Sequence, residues 1–354
     1  MKKEIVIKAP GRVCLFGDHQ DYLDLPVIAC AINRFVELKA VPNKTSVFNI
    51  TMTDIGQERS IDIGGLFQPL THHDYFASSL RVVRRYGCIP NLGYDITISG
   101  DLPINAGLSS SSALVVAWIR FLLTAFEADH SITDQFVGKL AYEAEVLEHH
   151  GSGGYMDQYS IALGGVVFIE TSGNINFKRL EKNLNCSLII GESGVKKETQ
   201  STLGNLSAKG KESFSLIKER NHDFNPITTS LEDVKKLSTH LPDQLQPIFY
   251  AAINNYQITQ EALRIFEKNE IDAANLGVLM NEHHRMLKDH LKITVPLIDN
   301  MVKAALSAGA YGTKIVGSGG GGCIVALVDQ SKANIVICEI KKAGAKDAYQ
   351  VSIV

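Results

Sequence analysis

Apolar residues recur along this chain with two periods, and the switches between them outline its elements. Ile5-Val6-Ile7-Lys8-Ala9-Pro10 reads as an opening strand broken by Pro10 and Gly11. Leu25 to Leu38 is a second β-compatible stretch, and residues 48–63 alternate apolar and polar (Phe48, Ile50, Met52), as in one half-buried strand. Tyr75 to Tyr86 carries apolar residues at helical spacing and stops at Gly87, and Tyr94 to Ser99 alternates again up to Gly100. The pattern then predicts helices over 111–126 and 132–150, and strands at Gly165–Glu170 and Ile175–Leu180 around a Gly173-Asn174 turn. Near residue 181 the texture changes. A strand at Ser187–Ile190 precedes a polar Lys/Ser/Gly stretch over 195–213, and helical patterns dominate from about 231 to 308. Strands at Lys314–Val316 and Ile324–Val328 flank a glycine run, and a helix over 331–343 and a last strand close the chain. Strands in succession without regular βαβ alternation predict an α+β fold with two domains, 1–180 and 181–354.

Composition narrows the function classes. The length, 354 residues, suits two domains, and 45% apolar with 21% charged residues suits a folded globular chain. Lys plus Arg is 35 and Asp plus Glu is 38, a net charge of −3, which offers no general attraction to nucleic acid or anionic membrane. No apolar run approaches the roughly 20 residues of a membrane span, and Met1-Lys2-Lys3-Glu4 leads straight into a strand. The expectation is a cytoplasmic chain without a leader, a monomer or homodimer, acting on a small molecule. Six scattered cysteines without a CxxC pair read as buried thiols in a reducing compartment. Trp118, on the apolar helix, reads as core.

Four segments carry chemistry. Ala106-Gly107-Leu108-Ser109-Ser110-Ser111-Ser112 precedes an apolar helix. Glycine permits close backbone approach, free amides make an anion site, and the helix N-terminus adds partial positive charge; a flexible linker with a serine cap is the plainer alternative. Arg12 and Asp18-His19-Gln20-Asp21 surround a β-like triplet and suit a polyhydroxylated ligand, but taken alone the segment reads first as a solvated turn. Glu143, Glu145 and Glu148 lie on a helix ahead of Gly151-Ser152-Gly153-Gly154 and a turn at Tyr155-Met156-Asp157-Gln158. A carboxylate behind a glycine turn can approach a substrate hydroxyl, and a second one a helix away can hold a metal. Glu143 and Glu148 read as a wet helix face. The pairs His72-His73, His149-His150 and His283-His284 point apart on any helix and make no i, i+4 metal pair. Finally, Gly317-Ser318-Gly319-Gly320-Gly321-Gly322 is costly in backbone entropy unless a ligand needs close approach.

In this order the segments resemble the GHMP kinase superfamily, and most of all its galactokinase-like sugar kinases. Gly11 to Tyr22 is similar to GRVNLIGEHTDY, Pro103 to Leu114 to PxGAGLSSSASL, Tyr155 to Gln158 to the MDQ motif, Leu279 to Arg285 to LMxxSHxSL, and Gly312 to Cys323 to GARxTGGGFGGC. The resemblance implies an N-terminal domain like ribosomal protein S5 domain 2, a ferredoxin-like C-terminal domain, and ATP-dependent phosphorylation of a monosaccharide, at the anomeric hydroxyl. It implies Asp157 as base beside Arg12, and Ser110 or Ser111 with Glu145 holding Mg²⁺. The amides from Ala106 to Ser112, with Gly319 and Gly320, would hold the nucleotide, and Tyr75 would lie near the adenine. Asp18, His19, Asp21, Gly154 and Asp157 would face the sugar. A mevalonate-type kinase is the alternative, and a non-catalytic sensor on the same scaffold ranks below it. The chain departs from the family pattern at Asp18 (for glutamate), Gln20 (for threonine), Leu23-Asp24-Leu25 (where two glycines are usual), Ser201-Thr202-Leu203-Gly204 (for Ser-Glu-Tyr-Asn) and Gly320 (for an aromatic).

Overall fold

The computed structural model describes residues 4–170, 175–180, 184–195 and 199–354. Strands Ile5–Phe16 (β1), Val27–Pro42 (β2), Val47–Met52 (β3), Gln57–Asp62 (β4), Tyr94–Gly100 (β5), Val166–Glu170 (β6) and Asn176–Arg179 (β7) form one sheet. Its order is β4-β3-β5-β2-β6-β7, with β1 paired antiparallel along the other side of β2. The opening strand runs through Pro10, where the register against β2 shifts, so the predicted break is a bulge. The alternation over 48–63 belongs to a hairpin, β3 and β4, not one strand. Its turn, Thr53 to Gly56, keeps the period of two on both sides.

Helices Tyr75–Arg85 (α1), Ser110–Phe126 (α2), Asp134–Tyr142 (α3) and Met156–Leu163 (α4) accompany this sheet. The face of α2 carrying Val115, Trp118, Ile119, Phe121 and Leu122 is buried; Trp118 is fully so, packing edge-on to Phe48 and Phe76. The predicted helix over 132–150 is α3 followed by a wider π turn over Glu143–Leu147. The predicted Gly173-Asn174 turn lies outside the described residues.

Strands Ser187–Glu192 (β8), Gly312–Val316 (β9), Cys323–Val328 (β10) and Asp347–Val351 (β11) make a second, antiparallel sheet in the order β11-β8-β10-β9. It packs with Pro296–Ser307 (α9) and Ala333–Lys342 (α10). Between β8 and β9 run Thr199–Arg220 (α5), Leu231–Ser238 (α6), Gln246–Glu267 (α7) and Ala273–Arg285 (α8). Helix α5 replaces most of the polar stretch expected over 195–213. Its buried positions Leu206, Ser207, Gly210, Ser213 and Ile217 keep helical spacing, but three of them are Gly or Ser and carry no hydrophobic signal. The chain end returns to the first sheet, where Asn33 N–H donates to Ser352 O at 2.9 Å and Ile353 bridges Ile32. Of the cysteines, Cys14, Cys30, Cys88 and Cys323 are buried, Cys186 partly so, and Cys338 exposed. Among the described residues no helix is long and apolar enough to cross a membrane.

Candidate active site

One cavity of about 450 Å³ collects residues from every chemical segment. Arg12 comes from β1, Asp18, His19 and Asp21 from the turn after it, and Gly107 with Ser109 to Ser112 from the loop opening α2. Glu145 comes from the π turn, Gly154 and Asp157 from the start of α4, and Gly317 and Ser318 from the second glycine run. Neither the solvated-turn nor the linker reading holds. Arg12, Asp18, His19, Gln20 and Asp21 are all buried, and the Ser-Gly loop is fixed to its surroundings.

The centre is Asp157. The expected turn there is instead the first turn of α4, so the carboxylate sits at a helix N-terminus. Arg12 Nε and Nη2 each lie 2.7 Å from Asp157 Oδ1, and Arg12 Nη1 donates to Gly107 O at 2.6 Å. Ser109 Oγ donates to Asp157 Oδ2 at 2.5 Å. Arg12 also donates its backbone N–H to Leu108 O. Both oxygens of the carboxylate are therefore held by groups belonging to, or bonded to, the serine-glycine loop. Burial of the Arg12 guanidinium opposes its charge, but Asp157, Cys14 and Asp18 outweigh that and raise its pKa.

Asp21 has a different setting. Its Oδ1 accepts from Tyr22 N–H at 3.1 Å and its Oδ2 from Met156 N–H at 3.3 Å. Burial, and then the charge of Asp157, push its carboxyl up to about 6. Gly154 is required here, because a Cβ on it would lie 2.2 Å from Asp21 Oδ2. Asp18 lines the cavity with both oxygens engaged: Lys314 Nζ is 2.5 Å from Oδ2, and Gly317 N–H donates to Oδ1 at 2.8 Å. Burial disfavours its charge, yet Lys314 more than offsets this and holds the carboxyl well below the usual range. Asp18 thus joins the two sheets as much as it faces the cavity.

Glu145 is partly buried on the cavity wall, and desolvation raises its carboxyl above the ordinary value although Gln158, Ser112 and Ser111 all hydrogen-bond to it. Its neighbours Glu143 and Glu148 are not a wet face. Both are largely buried in ion pairs, Glu148 with Arg81 and Arg85, and Glu143 with Arg85 and the Tyr86 hydroxyl. Among the described residues no three His, Cys, Asp or Glu side chains stand together as a metal site. Hard oxygen donors are nonetheless present: one carboxylate, Glu145, bonded to the Ser111 and Ser112 hydroxyls, with Ser110 on the same wall. That set fits a Mg²⁺ ion whose remaining positions are filled by water and phosphate oxygens.

Some expected residues lie off the wall. Leu108 is core, Ala106 packs against that core, Gly319 faces Ile293, which a Cβ on it would meet at 2.5 Å, and Gly320 does not line the cavity. The wall residues of the second glycine run are Gly317 and Ser318. Residues not anticipated include Leu203 from α5 and a group of rings from His72, His73 and His149 around Tyr75. His73 and His149 stack at 6.4 Å, and Tyr75 meets His149 edge-on at 5.3 Å. Nothing in the spacing of 72, 73 and 149 signals this meeting, which depends on α1 packing against the π turn.

Comparisons with known proteins bear on the family and the fold. The family model for the GHMP kinases N terminal domain matches residues 74–165, that for GHMP kinases C terminal matches 260–346, and the galactokinase galactose-binding signature matches 1–38. A galactokinase of Roseiflexus sp. (strain RS-1) is 27% identical over 92% of this chain and 84% of its own length. A mevalonate kinase of Thermococcus gammatolerans is 26% identical over 97% of this chain and 98% of its own. Among solved structures, Lactococcus lactis galactokinase complexed with galactose superposes with a TM-score of 0.87 at 19% identity, over 99% of this chain and 94% of that one. Methanococcus jannaschii mevalonate kinase does so at 0.72 and 21%, over 99% of both chains. The models cover more than half of the sequence, the fold is shared end to end, and the motifs that match are the ones that meet in the cavity: the chain belongs to the GHMP kinases, with the mixed α+β two-domain fold and the galactokinase-like signature of that superfamily.

Proposed function

We propose that the protein transfers the γ-phosphoryl group of ATP to a hydroxyl of a monosaccharide, the anomeric one, with residues 1–180 and 181–354 as the two lobes around the site. The observation that carries this reading is the Arg12–Asp157–Ser109 cluster, in which a carboxylate lies in the same cavity as a glycine-serine loop at a helix N-terminus. Asp157 accepts the proton of the attacking hydroxyl, and Arg12 stabilises the carboxylate and the charge that develops beside it. The amides of Gly107 to Ser112 and the N-terminus of α2 bind phosphate oxygens. When bound, Mg²⁺ neutralises charge on the phosphates, and Glu145 with Ser110 or Ser111 would hold it. Asp21 and His19 hold sugar hydroxyls, since a carboxylate accepts two of them and an imidazole donates or accepts. Tyr75 and its ring neighbours provide the flat wall for the base.

A coupled ADP-release screen over monosaccharides and mevalonate, with Mg²⁺ and ATP, tests the assignment. Turnover is expected with at least one free sugar. Turnover with mevalonate alone would move the acceptor to the other branch of the superfamily, and silence with every acceptor would refute the kinase reading. Asp157→Asn is expected to lower kcat roughly 10²- to 10⁴-fold while leaving nucleotide affinity nearly unchanged.

A further inference from the structure

We infer that the Ser109 hydroxyl is a positioning group for the base, not a phosphate ligand, so that the phosphate loop itself sets the orientation of Asp157. The inference rests on the kinase reading and goes beyond it. Ser109 is buried, and its backbone adopts the left-handed conformation, φ 60° and ψ 47°. That region is unfavourable for a residue with a Cβ unless the surroundings enforce it, and serine has no special tolerance for it. As the residue preceding α2, Ser109 would ordinarily cap the helix through its hydroxyl, but it makes no such bond. The hydroxyl instead reaches across 48 residues to Asp157 Oδ2 at 2.5 Å. A strained residue that gives up its cap to hold a reacting group implies a role in the chemistry.

The geometry says what that role is. Arg12 occupies Oδ1 alone, which leaves the carboxylate free to rotate about that anchor. Ser109 takes one lone pair of Oδ2 and stops the rotation, leaving a second lone pair of that oxygen for the acceptor hydroxyl. Because Arg12 is itself bonded to Gly107 O and Leu108 O, both restraints trace to one loop. Loop and base therefore form one rigid unit. Phosphates seated on the loop and a hydroxyl seated on the base hold a fixed relation to each other, which in-line transfer demands.

The strain makes a clean test. Ser109→Gly removes the hydroxyl but relieves the left-handed backbone, so its melting temperature should equal or exceed that of the wild type. With ATP and the sugar that turns over fastest in the screen, its kcat should fall about 10- to 100-fold, while KM for ATP stays within about threefold. Ser109→Asn, which tolerates the same backbone and carries an N–H donor, should recover about tenfold of that loss. Three results would overturn the inference: kcat of the glycine variant within about twofold of wild type, a loss confined to KM for ATP, or a loss matched by a lowered melting temperature. A wild type that turns over no acceptor at all would instead overturn the kinase reading, and this inference with it.

Discussion

Asp157 and Asp21 occupy one cavity with opposite settings. Asp157 has a guanidinium on one oxygen and a hydroxyl on the other, whereas the buried Asp21 carboxylate is held, among the described residues, by two backbone amides. Its carboxyl titrates near 6 in the folded chain, raised from 3.8. The folded state therefore keeps a proton that the unfolded state has lost. The stabilisation this provides is complete below about pH 4 and disappears as pH rises through about 6. At neutral pH Asp21 is a buried charge. Asp21→Asn should raise the unfolding free energy at pH 8 by as much as about 3 kcal/mol and add little at pH 4, as read by urea titration at the two values. An equal gain at both would detach the effect from titration. The same variant should raise the sugar KM at least about tenfold and leave KM for ATP nearly unchanged. In the wild type, sugar KM should climb as pH falls from 7 to 5, because a protonated Asp21 accepts fewer hydroxyls.

At the scale of elements, the site is assembled by segment ends. The serine-glycine loop is the entry to α2, Asp157 opens α4, Glu145 sits in the π turn that widens the end of α3, and Gly317 leaves β9. Side chains at such ends face a cavity while the elements behind them stay packed. Helix α1 illustrates how its entry is held: Asp74 accepts from Ala77 N–H as the N-cap and pairs with Arg59 on β4. This places Tyr75, the next residue, on the wall. Asp74→Ala should cost about 0.5–2 kcal/mol in chemical denaturation and raise KM for ATP more than that of the acceptor. A KM change confined to the acceptor would take Tyr75 away from the nucleotide side. Elements with strong periods, such as α2 and β5, were legible in the sequence. Those that were misread lack a hydrophobic signal at the decisive place. The hairpin β3–β4 continues one alternation through a turn, and α5 buries Gly210 and Ser213 where a helix usually shows Leu or Ile. Helix α4, only eight residues from Met156 to Leu163, is too short to show its period.

At the scale of the molecule, the two sheets are joined by a fully buried ion pair. Lys314 on β9 bonds Asp18 and also Cys14 O at 3.0 Å, while Asp18 takes the Gly317 amide. His283 on α8 lies close by, and among the described residues neither ring nitrogen has a hydrogen-bond partner; burial, and then the Lys314 charge, push its pKa down to about 3. It is therefore neutral at physiological pH and adds no second cation. A buried pair contributes little in itself, but losing one partner strands the other. Lys314→Met should destabilise the fold by about 3–5 kcal/mol, and Asp18→Asn in the same chain should recover a good part of that loss. Both are measured by urea unfolding. If the double variant were no better than the single one, the pair would not be what joins the sheets.

The linear order of residues was enough for the family motifs, the α+β class and most strands and helices, because those depend on local period and local turn chemistry. The family resemblance, carried by those motifs, was what nominated Arg12, Asp157, Asp21 and the serines; residue type alone left the turn at Asp18 to Asp21 open to a solvated reading. Only the tertiary structure decided which of these groups are already spoken for. Asp18 is engaged by Lys314, 296 residues away in the chain, and Ser109 by Asp157, while Gly319 and Gly320 give way to Gly317 and Ser318 on the wall. The histidine rings meet Tyr75 only through packing of α1 on the π turn. The physical reason is common to all of them: a side chain's charge, strain and availability are set by the atoms that surround it, and those atoms arrive from distant parts of the chain.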